Sequence, residues 1–204
     1  MTAMHAQVLL FDGFDELDAI GPFEVLANGL KAAEGSVRYV TLEGAREVRG
    51  SHGTLVHADG ALDGTATLLI VPGGGWNDRA PQGAWAEAQR GDVPKAVAAA
   101  HAAGATVAAV CTGGMLLSAA GLLDGRPAIT HRSAVEELRG TSAQVVEARV
   151  VDDGDVLTAG GVTSGLDLAL HIVERELGAD VAAVVAREME HDRRGPVHRG
   201  PNAA

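Results

Sequence analysis

The only thiol of the chain, Cys111, lies in Ala109-Val110-Cys111-Thr112-Gly113-Gly114, where a buried apolar run gives way to a glycine-rich helix start. A strand that ends on a nucleophile and turns at once into a helix needs small residues two before and two after it. Ala109 and Gly113 meet that need, so Cys111 is expected at a nucleophile elbow with sulfur in place of oxygen. The helix that follows aims unpaired N–H groups at the sulfur and is expected to favour thiolate over thiol. Without the elbow, a lone cysteine reads as a small buried apolar residue.

A thiol that does chemistry needs a proton partner and a group that steadies developing charge. Acidic candidates follow the first apolar run: Asp12, Asp15, Glu16, Asp18 and Glu24. Most of this run reads as a solvated loop. Asp18 is the exception, because it stands between Leu17 and Ile20 just before Gly21-Pro22, where a carboxyl held near sulfur could shuttle a proton at neutral pH. Pro72-Gly73-Gly74-Gly75 after another buried run offers unhindered backbone N–H groups for an anion. It is no phosphate-binding loop, since the lysine and the downstream Ser/Thr are missing. Gly74, Gly75 and Gly113 are the backbone donors expected around the thiol.

The elements that must position these groups alternate. Short strands are expected at 8–11, 37–42, 68–71 and 106–110, and helices at 18–33, 94–103 and 114–120. In the first helix, Gly21-Pro22 falls near the start, where proline is tolerated. Asp92 is expected to cap the second helix and Gly104 to stop it. Two strands, 145–151 and 155–158, flank the turn signal Asp152-Asp153-Gly154 as a β-hairpin. Thr163 or Ser164 then caps a helix with Leu166, Leu170, Val173 and Leu177 on one stripe, and Gly178 closes it before a last helix at 181–190. The reading is an α/β fold: a mostly parallel sheet with helices on both faces, flavodoxin-like, plus a small hairpin. One domain, 1–191, is expected to end in a flexible tail, 192–204. Chemistry in such folds gathers at the carboxyl ends of the strands, and three of those ends carry the acidic cluster, the glycine loop and the thiol.

Composition narrows the function classes. A formal net charge of −11 opposes binding to nucleic acid phosphates. One cysteine rules out an internal disulfide and a multi-cysteine zinc site. No stretch has the length of a membrane span and the start lacks a signal-peptide order, so a cytoplasmic protein is expected. Only 3% of residues are aromatic, which leaves the core to Ala, Val, Leu and Gly. His52 and His57 look like loop and strand edge rather than metal ligands. His171 reads as a helix-face residue, Trp76 and Trp85 as packing residues. Ser118 and Ser133 lack the Gly-x-Ser-x-Gly setting of a serine nucleophile.

The chain resembles the ThiJ/PfpI superfamily, the class I glutamine-amidotransferase-like proteins, from Val8 to about Glu190. The likeness rests on Leu17-Asp18-Ala19-Ile20-Gly21-Pro22-Phe23-Glu24-Val25-Leu26, Ile70-Val71-Pro72-Gly73-Gly74 and Val110-Cys111-Thr112-Gly113. It continues through Ala119–Arg126, Thr130-His131 and Leu157–Asp167. Its Leu-Asp-x-x-Gly-Pro start and Cys-Thr-Gly elbow look most like isocyanide (isonitrile) hydratases and the amino-terminal sensing domains of AraC-type regulators.

That resemblance implies that Cys111 attacks the terminal carbon of an isocyanide and Asp18 serves as acid/base. Thr112 would place water or substrate, and a thioimidate would hydrolyse to an N-substituted formamide. It implies no metal or organic cofactor, a small-molecule substrate and a homodimer. His131 is either a modulator of the thiol or a polar tie at the sheet end. Two residues depart from the hydratase pattern: Arg132 stands where a tryptophan is expected, and Trp76 where a small residue is common. The alternatives are glyoxalase-like aldehyde detoxification, which goes with a glutamate where Asp18 stands, and a non-catalytic ligand or redox sensor. The regulators continue into a basic helix-turn-helix, for which little sequence follows Glu190.

Overall fold

A computed structural model describes residues 3–203; residues 1, 2 and 204, which the expected domain and tail bounds include, lie outside the described residues. In chain order the elements are β1 (Met4–Leu9), α1 (Glu16–Gly29), β2 (Gly35–Thr41), β3 (Arg46–Arg49), β4 (Leu55–Ala58), β5 (Gly60–Ala61) and β6 (Leu68–Val71). Next come α2 (Ala84–Arg90), α3 (Asp92–Ala102), β7 (Thr106–Val110), α4 (Gly113–Ala119), β8 (Pro127–Ala128), α5 (Val135–Arg139) and β9 (Gln144–Val145). The chain finishes with β10 (Val150–Asp152), β11 (Val156–Ala159), α6 (Ser164–Leu177), α7 (Ala179–Glu188) and β12 (Val197–Arg199).

Every residue of β6 is buried, as are all but the first of β7, which is why both read as continuous apolar runs. They sit in the middle of an eight-stranded sheet ordered β12-β10-β11-β7-β6-β1-β2-β5. All its pairings are parallel except β10 with β11. Helices α1, α6 and α7 pack together on one face, and α2, α3 and α4 on the other. The chain runs from β1 outward to β2, then returns to place β6 on the other side of β1. The carboxyl ends of β1 and β6 therefore flank the point where the strand order reverses, the usual place for a site in an open α/β sheet.

Several boundaries differ from the sequence reading for physical reasons. Helix α1 starts at Glu16 because Asp15 caps it, its carboxylate accepting from the Leu17 N–H at 3.2 Å. Pro22 is consequently inside the helix rather than near its start, and the ring removes the N–H that would have bonded the Asp18 carbonyl. Asp92 is the first helical residue of α3, and Gly91, at φ +80°, occupies the cap without a side-chain bond. Thr163 precedes α6, but its hydroxyl accepts from Arg149 at 3.0 Å instead of capping the helix. Helix α2 and the antiparallel hairpin of β3 and β4 were not foreseen.

The expected hairpin at Asp152-Asp153-Gly154 is present, pairing Val150 with Ala159. The segment read as a flexible tail is corrected: Val197–Arg199 adds a parallel strand beside β10, and Asn202 Nδ2 donates to Asp153 at 2.8 Å. Its polar composition hid a role as an edge strand, where side chains face solvent and the backbone does the bonding.

Candidate active site

Cys111 adopts φ +57°, a left-handed conformation that costs a non-glycine residue energy and persists because its surroundings over-determine it. Its N–H donates to the Ala159 and Gly160 carbonyls at 3.1 and 2.9 Å, and the Thr130 hydroxyl donates to its carbonyl at 2.9 Å. A Cβ at position 113 would lie 2.2 Å from the Val71 carbonyl oxygen, so only glycine lets the chain turn this tightly into α4. The elbow read from Ala109 and Gly113 is thus the observed geometry.

Asp18, on the first turn of α1, is fully buried against this elbow. Its Oδ2 accepts from the Gly73 N–H at 3.0 Å. Its Oδ1 is buried with no hydrogen-bond partner of regular geometry, and the Cys111 thiol interacts with the carboxyl electrostatically. Burial, reinforced by the negative charge of Asp15, pushes the Asp18 carboxyl up to about 7. The group titrates where a proton shuttle at neutral pH should.

The thiol departs from expectation. The residue keeps 6% of its surface exposed, and burial, with the charge of Asp18 added, pushes it up to about 12. Backbone N–H groups of Val162 and Thr112 bond the sulfur and pull the other way, yet they do not outweigh desolvation. Helix α4 is only seven residues long, and its start does not produce the depressed thiol read from the sequence. The buried setting beside Asp18 therefore favours the protonated thiol over the free thiolate read from the sequence.

The other expected site residues divide. The Thr112 hydroxyl accepts from the Gly74 N–H at 2.9 Å, so this amide is spent inside the protein and is corrected as an anion donor. Gly75, at φ +62°, accepts from the Ala80 N–H at 3.2 Å and serves the turn after β6. Gly113 acts through its lack of a side chain.

The His131 ring lies across Gly161, where a Cβ would meet its Cδ2 at 2.3 Å. Its Nδ1 is 2.5 Å from the Ser133 hydroxyl and accepts from the Ser133 N–H at 3.3 Å. Burial and the neighbouring Arg132 push it below the usual histidine range. Of its two sequence readings, these contacts match the polar tie, one residue from the Val162 N–H that bonds the thiol.

Val162 was missed as a functional position. Its φ of +42° is the strained turn that aims its N–H at the sulfur, and the only sequence signal was the Gly160-Gly161 pair before it. Asp15 was also missed, because acidic loop residues usually face water. Trp76 is buried and donates from Nε1 to Glu137 at 3.1 Å, while the Arg79 guanidinium stacks 3.8 Å from the centre of Trp85. That cluster ties the glycine loop to the segment after His131. A cavity of about 450 Å³, lined partly by Thr130, Arg132, Val135, Gly160 and Gly161, opens beside the backbone that holds Cys111. Among the described residues no cluster of histidine, cysteine or carboxylate side chains could hold a metal ion. No helix among them is long and apolar enough to cross a membrane.

Comparison with known proteins agrees with this geometry. The DJ-1/PfpI family model matches residues 4–175. The isonitrile hydratase of Pseudomonas putida is 32% identical over 200 residues, covering 97% of this chain and 83% of that protein. The Parkinson disease protein 7 homolog of Danio rerio is 29% identical over 191 residues, covering 91% and 96% respectively. Among solved structures, a ThiJ/PfpI family protein from Pseudomonas syringae superposes with a TM-score of 0.83 at 29% identity, covering 96% of this chain and 78% of that one. With the elbow, the buried acid and the flavodoxin-like sheet in place, the chain belongs to the DJ-1/PfpI family.

Proposed function

We propose that the protein is a cofactor-free enzyme that hydrates an isocyanide to an N-substituted formamide through a covalent intermediate on Cys111. The observation that carries this is the pairing of a buried carboxyl titrating at about 7 with the only thiol of the chain. As the sulfur lone pair adds to the terminal isocyanide carbon, Asp18 takes the thiol proton and passes it to that carbon, giving a thioimidate, R–N=CH–S–Cys111. The Asp18 carboxylate then takes a proton from water. The hydroxide adds to the same carbon, its remaining O–H proton passes to nitrogen, and the C–S bond breaks as the carbonyl forms. Formamide leaves, and the sulfur recovers its proton from Asp18.

Addition and proton transfer in one step avoid a free thiolate, which burial makes costly. The Val162 and Thr112 N–H groups steady the charge that builds on sulfur when it leaves. Thr112 spends an acceptor lone pair on Gly74, and its hydroxyl hydrogen is the group assigned to water or substrate. The likeness to the Pseudomonas putida isonitrile hydratase supports this substrate class. A homodimer and a cytoplasmic location belong to the same proposal, the dimer being tested by sedimentation.

The low exposure of the sulfur favours a second reading, a ligand-sensing domain without turnover. It counts against an oxidation sensor, since oxidation follows thiolate character and access. An aryl isocyanide offered to the protein separates the hydratase from the ligand sensor. Formamide measured by mass spectrometry from the parent, and none from Cys111→Ala, supports the enzyme. Saturable binding with no product supports the sensor, and equal product from Cys111→Ala removes the mechanism.

A further inference from the structure

Beside the reacting pair, the turn of the β3–β4 hairpin is bonded to the segment that leads into α1. The Gly13 N–H donates to the Arg49 carbonyl at 2.8 Å, and the Ser51 N–H donates to the Phe14 carbonyl at 2.8 Å. Glu16 closes this contact. Its Oε1 accepts from the His52 N–H at 2.8 Å and the Thr54 N–H at 3.4 Å. Its Oε2 accepts from the Ser51 hydroxyl at 3.3 Å and lies 2.6 Å from His52 Nδ1.

A surface carboxylate does not ordinarily collect four donors from one turn, and this side chain is only 13% exposed. On the inner side, the Asp15 N–H donates to the Gly73 carbonyl at 2.8 Å and the Gly73 N–H donates to Asp18. An unbroken run of backbone and carboxylate contacts thus leads from the hairpin turn, through residues 13–16 and Gly73, to the acid beside Cys111.

We infer that Glu16 is a positioning residue: by clasping the turn at 50–54 it fixes the first turn of α1 and keeps water from Asp18. This rests on Cys111 and Asp18 being the reacting pair. Glu16 touches neither the sulfur nor Asp18 and acts through the backbone it anchors. Misplacing a catalytic group by about 1 Å can cost about 100-fold in rate, so such an anchor matters to the chemistry.

Gly50 supplies an independent handle. A Cβ there would stand 2.4 Å from Glu16 Oε1 and 2.5 Å from its Cδ, while Gly50 itself does not need a left-handed backbone. Gly50→Ala should therefore expel the Glu16 carboxylate from its clasp while leaving Glu16 in the chain.

The test reads the rate at which iodoacetamide alkylates Cys111 as a function of pH. The charged and titrating groups that face Asp18 are Cys111 from the elbow and Asp15 from its own helix start. In the parent a step near pH 7 reports the proton shared by Asp18 and the thiol. In Glu16→Ala and in Gly50→Ala the step should move down by about one unit or more, as water reaches the carboxyl. Glu16→Gln, which keeps an acceptor for the two N–H groups, should restore most of the parent profile. Glu47→Ala, on the exposed strand of the same hairpin, should change nothing.

Melting curves show which variants are folded, and a folded Glu16→Ala with an unmoved step overturns the inference. If Glu16→Ala does not fold, an unmoved step in Gly50→Ala does so instead. A parent with no step overturns the pair itself, and the inference with it. Failure to hydrate isocyanides while the shifts appear removes only the proposed substrate.

Discussion

Asp18 and Asp152 each keep 1% or less of their surface exposed, with Asp18 deeper in the packing, and they titrate in opposite directions. Asp152, on the β10–β11 hairpin, meets the His171 imidazole at 2.6 Å, the Gly154 N–H at 2.8 Å and the Arg175 guanidinium at 3.4 Å. Burial acts on it too, but these partners together hold its carboxyl below the usual range. Asp167 repeats the pattern with Arg149, His191 and the Arg194 N–H. Asp18 has one amide donor, no cation, and the negative Asp15 nearby. A buried carboxylate with full satisfaction is a structural staple. One left short of partners titrates near neutrality, where it can both take and give a proton.

The largest contrast is expected in turnover. Cys111→Ser or Asp18→Asn should lower the rate of formamide appearance by about 100-fold or more, the usual contribution of a positioned acid/base. Asp152→Ala should leave turnover of the folded protein within about twofold. The same pair separates in stability against pH, measured by chemical denaturation. The Asp18 carboxyl is raised in the fold, so the native state binds more protons than the unfolded one. Its ionisation destabilises the fold increasingly as pH rises from the unfolded value of 3.8 through about 7. Asp18→Asn should stabilise the protein by up to about 4 kcal/mol at pH 8, a gain that vanishes below pH 4.

Asp152 works with the other sign. Its lowered carboxyl contributes stability above its unfolded value, and that contribution is lost on acidification through the native one. Breaking this buried pair with Asp152→Ala should cost about 3–5 kcal/mol at pH 7. The smallest effect belongs to Asp15→Asn. Removing that charge should lower the pH at which Asp18 titrates by less than about one unit, read from the alkylation profile of Cys111; Cys111 itself, His131 and His52 also feel the charge.

Much of this contrast was readable before any coordinates. The strand–elbow–helix around Cys111 follows from an apolar run ending at a thiol with small residues on either side, and Asp18 stood out by its apolar neighbours. What stayed hidden depends on contacts distant in sequence. The side-chain partners of Asp152 lie 19 and 23 positions away, so its local sequence does not show that they pair with it.

The ionisation of the thiol was misread because a helix start is visible in sequence whereas depth of burial is not. The spent amide of Gly74 depends on Thr112, 38 residues on. The β3–β4 hairpin escaped notice because its strands are only four residues long and β3 carries three charged residues. With it went the clasp of Glu16, which looked like one more solvated acid.

The most direct measurement of the shared proton is the pH dependence of Cys111 alkylation in the parent and in Asp18→Asn. The parent should show a rise near pH 7 and a plateau above it, and the variant a single rise at alkaline pH with the neutral step gone. Superimposable profiles, with no neutral step in either protein, would mean that Asp18 and Cys111 titrate independently and do not act as one catalytic unit.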